Sequence, residues 1–303
     1  MLNSKNFYAC LFIILAMGCF TLGDTITKYM LAGMNTGQYM LLRGCFASAM
    51  IAFLAWYHGV LRRYPLDRMT ALRIVGDICA TLTYIYSLGQ LPQPFCAAIF
   101  QSAPLLETLA AALILREKVD WQRWTCVFIG FVGVLIIIRP GTAGAAEFTA
   151  VAILLASVLL VTLRDIATRR IPKNVPTHYL SLLTAVSITV AGAFLVAPMG
   201  GWQTTAPLSI AIIAGAAALL LLGYNFLIRG LREGEISLIS PFRYSSLLWA
   251  IGLSMAVFGN APDIFTIAGS VLVIGSGIYV IYREAVLKKR NGATLNPASI
   301  GTK

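Results

Sequence analysis

The sequence predicts an all-α membrane protein of ten transmembrane helices, arranged as two inverted five-helix repeats with both termini in the cytoplasm. Three observations support this fold. Of the 303 residues, 58% are hydrophobic and only 12% are charged, whereas about 25% of a soluble protein is charged. Apolar stretches recur at the length that a helix needs to cross a bilayer. Basic residues cluster on one side of these stretches.

Each apolar stretch is predicted to be a helix, because a spanning helix satisfies all its own backbone hydrogen bonds within the lipid. The connections between stretches are short. After Arg283 the sequence is polar, and we expect residues 284–303 to be a disordered cytoplasmic tail. The ten predicted spans are 7–32, 35–57, 71–90, 92–115, 121–138, 148–169, 176–197, 207–231, 236–258 and 262–282.

The orientation follows from the basic residues, which favour cytoplasmic loops. The net charge is +11, from 23 Lys and Arg against 12 Asp and Glu. With a cytoplasmic N-terminus, the inner segments hold clusters such as Arg62–Arg63, Arg169–Arg170 and Lys288–Arg290, and the outer loops hold only Arg139. An even number of spans follows. A basic chain is also typical of nucleic-acid binding, but no basic and aromatic RNA-binding pattern is present.

The two halves of the chain resemble each other. The segment from Asp24 to Lys28 late in span 1 is similar to the segment from Asp165 to Arg169 late in span 6. Because each half holds an odd number of spans, the second half must lie inverted in the membrane. Inverted repeats are typical of secondary transporters. We therefore predict repeat 1 over residues 7–140 and repeat 2 over residues 148–283.

Two stretches resemble a known family. "LPQPFCAAIFQSAPLLETLAAALILREKVDWQRWTCVFIGFVGVLIIIRP" (91–140) resembles the end of an EamA-type repeat of the drug/metabolite transporter superfamily, and residues 236–284 resemble its second copy. Asn260 departs from the glutamate more usual there. The motifs "GDTITKYM", "WQRW", "RDIATRR", "PFRY" and "FGNAPD" resemble the branch of S-adenosylmethionine uptake carriers and riboflavin transporters. The resemblance implies ten helices around a central cavity that moves organic solutes.

Charged residues within spans are expensive and therefore mark candidate sites. Asp24 in span 1 and Arg43 in span 2 reach a similar depth near the outer face, at 1.5 Å of rise per residue. We expect them to pair, with Lys28 either reaching outward or joining the pair. The pair is either a structural link between spans or a gate that responds to solute or protons.

The same arrangement is expected near the inner face, where Asp165 in span 6 and Arg243 in span 9 reach similar depths. Arg164 is expected to point away from the partner of Asp165, because neighbouring residues on a helix diverge by about 100°. Opening of one pair while the other stays closed would give alternating access.

Two further acidic residues lie in spans. Glu107 follows Pro104 by one turn in span 4, and it is either the protonatable group of a coupled carrier or a buried partner of an arginine. Asp77 is expected to pair with Arg73 one turn earlier on the same helix.

Uncharged candidates for solute binding lie well inside the spans, where flat aromatic walls and a few amides suit a heterocyclic solute. Tyrosine and tryptophan also form belts at membrane interfaces, but Tyr84 and Tyr224 lie too deep for that explanation. Tyr84 and Asn225 occupy equivalent places in the two repeats. The candidates are Tyr84, Gln101, Tyr224, Asn225, Tyr244 and Trp249.

The expected function is that of a secondary transporter in the bacterial inner membrane. The sequence has no P-loop, no Cys or His spacing for a metal and no hydrolase motif, so we expect no enzyme, no cofactor, no metal and no ATPase subunit. Uptake of a vitamin- or cofactor-like heterocycle is preferred, with riboflavin first and S-adenosylmethionine second. An amino-acid or metabolite exporter, and a non-transporting receptor or assembly protein, remain alternatives.

Overall fold

The computed structural model describes residues 4–57, 67–114, 121–139, 145–171, 175, 177–233 and 240–294. Within these residues every regular element is a helix. Six of the described helices are long and apolar enough to cross a membrane: α1, α2, α3, α7, α8 and α9. The helices are α1 (Ser4–Met30), α2 (Thr36–Tyr57), α3 (Arg68–Gln90), α4 (Gln93–Phe100), α5 (Ala103–Ile114), α6 (Trp121–Ile138), α7 (Ala145–Arg170), α8 (Thr177–Val196), α9 (Pro207–Glu233), a 3-10 turn (Ser240–Tyr244), α10 (Ser245–Phe258) and α11 (Ile264–Thr294).

Two predicted spans are interrupted. Span 4 is divided into α4 and α5 at Gln101 and Ser102. Pro104 lies just after the break and has no backbone N–H to continue a helix, and the Ser102 hydroxyl donates to the Ile99 carbonyl at 2.6 Å. In the described part of span 9, the 3-10 turn Ser240–Tyr244 precedes α10. The interruptions lie in the fourth span of each predicted half.

The last helix is longer than the sequence indicated. We expected disorder from residue 284, but α11 continues to Thr294. Its continuation is consistent with the good helix formers in "EAVLKKR". Residues 295–303 lie outside the described part of the chain.

The helices pack in pairs drawn from the two halves. α1 packs on α9, α2 on α8, α3 on α7, α4 on α10 and α6 on α11. In predicted spans these pairs are 1 with 8, 2 with 7, 3 with 6, 4 with 9 and 5 with 10. The set of pairs stays the same when the first half is exchanged with the second: the pair of spans 1 and 8 becomes the pair of spans 6 and 3, and the other pairs map onto each other or onto themselves.

Paired helices run in opposite directions. Ser87 of α3 donates to the Ala150 carbonyl of α7 at 3.0 Å. Ser157, seven residues later on α7, donates to the carbonyl of Ala80, seven residues earlier on α3, at 2.9 Å. The residue numbers rise along α3 as they fall along α7, so the two helices are antiparallel. An antiparallel arrangement of matched helices is what two inverted halves would produce.

α6 and α11 cross at two glycines. A Cβ atom on Gly133 would lie 2.8 Å from the Gly269 carbonyl oxygen, and one on Gly269 would lie 2.5 Å from the Gly133 carbonyl oxygen. Glycine at both positions allows the two backbones to approach closely, as small residues commonly do between membrane helices.

Side chains at the start of α2 form hydrogen bonds with the segment that connects α8 to α9. The fully buried amide of Gln38 donates to the Gln203 carbonyl at 2.8 Å and to the Thr205 hydroxyl at 2.7 Å. Asn35 caps α2 by accepting from the Gln38 N–H and donates to the Gly201 carbonyl. These bonds compensate the burial of polar groups.

α3 begins at a side-chain cap. Asp67 accepts a hydrogen bond from the Thr70 N–H at 2.8 Å. Hydrogen bonds from the Thr70 side chain and from its backbone N–H favour the charged carboxylate and lower the pKa of Asp67 from its usual value. The cap fixes where α3 begins, and so positions Asp77 and Tyr84 further along the same helix.

Candidate functional site

Asp24 lies about two turns before the end of α1, on a polar face. Residues three and four apart share one side of a helix, and Thr21, Asp24, Thr25 and Lys28 follow this spacing. The Tyr84 hydroxyl of α3 donates to Asp24 Oδ2 at 2.8 Å. The Tyr84 ring stands edge-on to Phe100 of α4, with 4.6 Å between ring centroids. Three helices therefore meet at the Asp24 carboxylate.

Arg43 of α2 lies one turn from Tyr39, whose hydroxyl bonds Thr27 one turn from Asp24, but Arg43 does not pair with Asp24. Arg43 lies within electrostatic range of Asp24, Tyr84 and Tyr224. However, no Arg43 nitrogen lies within 4.0 Å of an Asp24 oxygen. Among the described residues the Arg43 guanidinium has no hydrogen-bond or ion-pair partner, and its Nε is buried. The expected ion pair is thus replaced by the Tyr84–Asp24 hydrogen bond.

Lys28 caps the end of α3. Its ammonium donates to the Leu88 carbonyl at 2.8 Å and to the Leu91 carbonyl, and it lies 5.9 Å from the centre of the Phe258 ring. Carbonyls at a helix C-terminus carry partial negative charge that attracts a cation. Lys28 therefore forms no described ion pair with Asp24, and its ammonium reaches the end of α3, which agrees with the alternative that it points outward.

The inner pairing also differs from the prediction. Arg164 of α7 forms ion pairs of 2.9 Å with Asp77 of α3 and of 2.9 Å with Asp165 beside it. We expected Arg164 to point away and Asp165 to pair with Arg243. The long arginine side chain curls back to reach its neighbour, so backbone direction alone was a poor guide. Arg243 is exposed and forms no described ion pair with Asp165.

Arg73 does not pair with Asp77, which was expected one turn away. Its Nε donates to Thr168 of α7 at 3.0 Å, and its Nη1 donates to Thr184 of α8 at 2.6 Å. Asp77 is left to Arg164. Two arginines thus join α3, α7 and α8 at the end of the bundle where α3 begins.

Tyr224 of α9 lies within electrostatic range of Arg164, Asp77 and Arg43. Its ring stands edge-on to Phe20 of α1, with 5.1 Å between centroids, and its side chain is exposed. Tyr84 and Tyr224 are therefore the two predicted tyrosines that lie near Arg43.

The remaining predicted binding residues are spread over the bundle. Gln101 at the α4–α5 break donates to Ser246 of α10 at 2.8 Å. Trp249 donates to the Ile14 carbonyl of α1 at 3.2 Å and lies against Gly18. The structure does not bring either into described contact with Asp24 or Arg43.

Three predicted residues are placed apart from this space. Tyr244 is buried with its phenol against Gly277 of α11, so it packs between helices. Asn225 is exposed and lies about 200° around α9 from Gly223, which faces α1. Glu107 is half-buried on α5, one turn after the break.

Sequence reasoning missed two buried polar links beside the site. Gln93 at the start of α4 accepts from the Thr25 hydroxyl and donates to the Thr21 carbonyl, both at 3.0 Å. The fully buried Tyr39 of α2 shares a 2.7 Å hydrogen bond with Thr27. The threonines of α1 were the available signal, because they repeat on the polar face that carries Asp24.

An ion pair lies at the opposite end of the bundle from Arg164. Arg139 at the end of α6 pairs with Asp263, which caps α11 by accepting from the Thr266 N–H at 2.7 Å. The pair borders a cavity of about 400 Å³ that is also lined by Glu147 and Asn260. A second cavity of about 420 Å³ lies between α6 and α11. Among the described residues no group of three His, Cys, Asp or Glu is arranged to hold a metal ion.

A helical membrane bundle with buried charges in its interior is the class of protein that these features define. Residues 7–139 match the model of the EamA-like transporter family. A solved crystal structure of another protein shares the fold, with a TM-score of 0.63, 15% identity, and coverage of 95% of this chain and 98% of that one.

Relatives with named functions cover most of the chain. An S-adenosylmethionine uptake transporter of Rickettsia prowazekii is 23% identical over 89% of this chain and 91% of its own length. A riboflavin transporter of Rhizobium johnstonii is 23% identical over 93% of each chain. The pseudopaline exporter CntI of Pseudomonas aeruginosa is 22% identical over 87% of this chain and 92% of its own.

Proposed function

We propose that this chain is a secondary transporter that moves a small organic metabolite across the bacterial inner membrane by alternating access. The observation that carries the proposal is the unpaired placement of Asp24 and Arg43 inside the bundle. A charge within a span costs at least about 2.5 kcal/mol, and two opposite charges that lie one turn from the same Thr27–Tyr39 hydrogen bond without pairing suit a polar solute. The match of residues 7–139 to the EamA-like transporter family supports it.

The solute we propose is a heterocyclic metabolite. Tyr84 bonds Asp24, Tyr224 lies near Arg43, and flat rings pack favourably against aromatic side chains. Riboflavin and S-adenosylmethionine are the two candidates, and relatives named for transport of each resemble this chain to a similar degree.

Ion pairs at the two ends of the bundle would serve as gates. Arg164 joins α3 to α7 at the proposed inner end, and Arg139 joins α6 to α11 at the proposed outer end. Both partnerships cross between the two halves of the chain, so a relative movement of the halves would break one while the other stays closed. These pairs take the place of the predicted Asp24–Arg43 and Asp165–Arg243 gates.

The proposed topology has ten spans and two inverted repeats, 7–140 and 148–283, with both termini in the cytoplasm. The antiparallel pairing of α1 with α9 and of α3 with α7 supports this topology, because it is unchanged when the halves are exchanged. A tag after Lys303 should be cleaved by protease only when the inner face of the membrane is exposed. Cleavage from the outer face of intact cells would contradict the topology.

Transport is tested with the purified full-length chain in liposomes. Radiolabelled riboflavin and S-adenosylmethionine should be offered separately, with protein-free liposomes and an Asp24→Asn variant as controls. We expect one solute to accumulate chemically unchanged, and the variant to slow its flux at least about tenfold. A receptor or assembly protein would give no flux, and an enzyme would return an altered solute. Liposomes preloaded with solute establish whether the direction is import or export.

A further inference from the structure

We propose that the solute carries a zwitterionic amino-acid head, with its carboxylate bound by Arg43 and its ammonium bound by Asp24. The inference rests on the proposed transport function and narrows its substrate class. It distinguishes a heterocycle joined to an amino acid from a neutral flavin. Tyr84 and Tyr224 would border the ring of such a solute.

The Arg43 guanidinium has hydrogen-bond donors that no described residue accepts, although its Nε is buried. An arginine in this position is expensive to retain. The guanidinium presents five N–H donors in a flat fork that matches a carboxylate with two parallel hydrogen bonds. An anionic group of the solute would satisfy these donors.

The Asp24 carboxylate has acceptor positions that the described residues do not fill. A carboxylate has about four acceptor positions on its two oxygens, and Tyr84 is the described donor to it, at 2.8 Å. Lys28, the cation nearest in sequence, is held by the carbonyls of Leu88 and Leu91. Asp24 therefore retains acceptor capacity for a cationic group.

The two charges together select the zwitterion. Arg43 and Asp24 lie at a similar level of α2 and α1, because the Tyr39–Thr27 hydrogen bond joins these helices one turn from each, yet their charged atoms are more than 4.0 Å apart. A purely anionic solute would be repelled by Asp24, and a purely cationic one by Arg43. A head with adjacent ammonium and carboxylate groups would pair with both and restore the balance of charge.

The experiment compares two probes that differ by one group. S-adenosylmethionine has the carboxylate, and decarboxylated S-adenosylmethionine lacks only that carboxylate. Calorimetric titration of the full-length chain should give the wild type about a 10- to 100-fold preference for the intact probe. Arg43→Gln should abolish this preference, and Arg43→Lys should keep part of it. Arg73→Gln, which removes a cation held by Thr168 and Thr184, should leave the preference unchanged.

A second arm tests Asp24 in the same way. The probe is the S-adenosylmethionine analogue that lacks the amino group. Asp24→Asn should weaken binding of the intact probe and leave binding of this analogue almost unchanged. Equal losses for both probes would show that Asp24 acts on the structure of the protein, and would overturn the inference.

Stability measurements separate a binding role from a structural one. Arg43→Gln removes a buried charge without a described partner, so the Tm of the unliganded protein should not fall. A Tm loss together with equal weakening for both probes would overturn the inference. Transport of riboflavin without binding of either charged probe would also overturn it, yet would leave the transport function intact. Absence of flux and of binding for every probe would end both proposals.

Discussion

The Tyr84 hydroxyl donates to Asp24 Oδ2 at 2.8 Å and so links α3 to the last turns of α1. Hydrogen bonds to a charged acceptor are stronger than those between neutral groups. The same tyrosine ring stands edge-on to Phe100 at the end of α4. One side chain therefore fixes the direction of the carboxylate and connects it to the helix that breaks at Gln101.

Removing this hydroxyl should affect both binding and stability. We expect Tyr84→Phe to lower the free energy of unfolding by about 0.6–2 kcal/mol, because the half-buried Asp24 loses its donor. Solute affinity should fall as well, because the carboxylate is no longer held in place. Thermal unfolding and solute titration measure the two effects. Tyr86→Phe on the exposed side of α3 is the matched control and should change neither.

Asp77 should contribute more to stability than Asp165, although both pair with Arg164. Asp77 is 12% exposed and joins two helices, whereas Asp165 is 32% exposed and lies beside Arg164 in the sequence. Breaking a buried pair leaves an uncompensated charge. We expect Asp77→Asn to reduce the free energy of unfolding by about 1–3 kcal/mol and Asp165→Asn by less than about 1 kcal/mol. Equal losses in thermal unfolding would contradict this ranking.

The helical class of the protein and its membrane character could be predicted because they depend on composition and on the length of apolar stretches. The partners of charged side chains could not. Depth along a span suggested Asp24 with Arg43, but depth does not report which side of a helix a residue faces. Arg164 shows a second limit, because its side chain is long enough to reach Asp165 against the direction of its backbone.

The broken fourth span shows what local signals do convey. Pro104 indicated a kink, and the structure places a break two residues earlier. The cap that Lys28 provides for α3 could not be predicted from the sequence, because it depends on how α1 packs against the end of α3. Tertiary packing thus decides the roles of charged residues whose presence the sequence makes plain.

The crossing of α6 and α11 should tolerate no added methyl group. Gly133→Ala would bring a carbon within 2.8 Å of the Gly269 carbonyl oxygen, and such overpacking costs about 1–3 kcal/mol. Thermal unfolding of the purified chain measures the loss. Gly275→Ala on the same α11 helix is the control, because nothing lies within 4 Å of its added carbon. Similar losses for the two variants would show that the crossing is looser than described.

The Arg139–Asp263 pair should control access to the cavity beside it. Asp263 both pairs with Arg139 and caps α11. Asparagine caps helices as well as aspartate does but carries no charge. Asp263→Asn should therefore keep the start of α11 while weakening the closure of this end of the bundle.

Labelling of a cavity cysteine measures that opening. Phe95 lines the cavity, and Phe95→Cys would be studied in a background without the six native cysteines. Asp263→Asn should increase the rate of modification by a membrane-impermeant maleimide several-fold, because the weakened ion pair favours the open state. Asp263→Ala removes the cap as well, and should also lower the Tm. If Asp263→Asn leaves the labelling rate unchanged, the ion pair does not hold this mouth closed, and the outer gate must lie elsewhere.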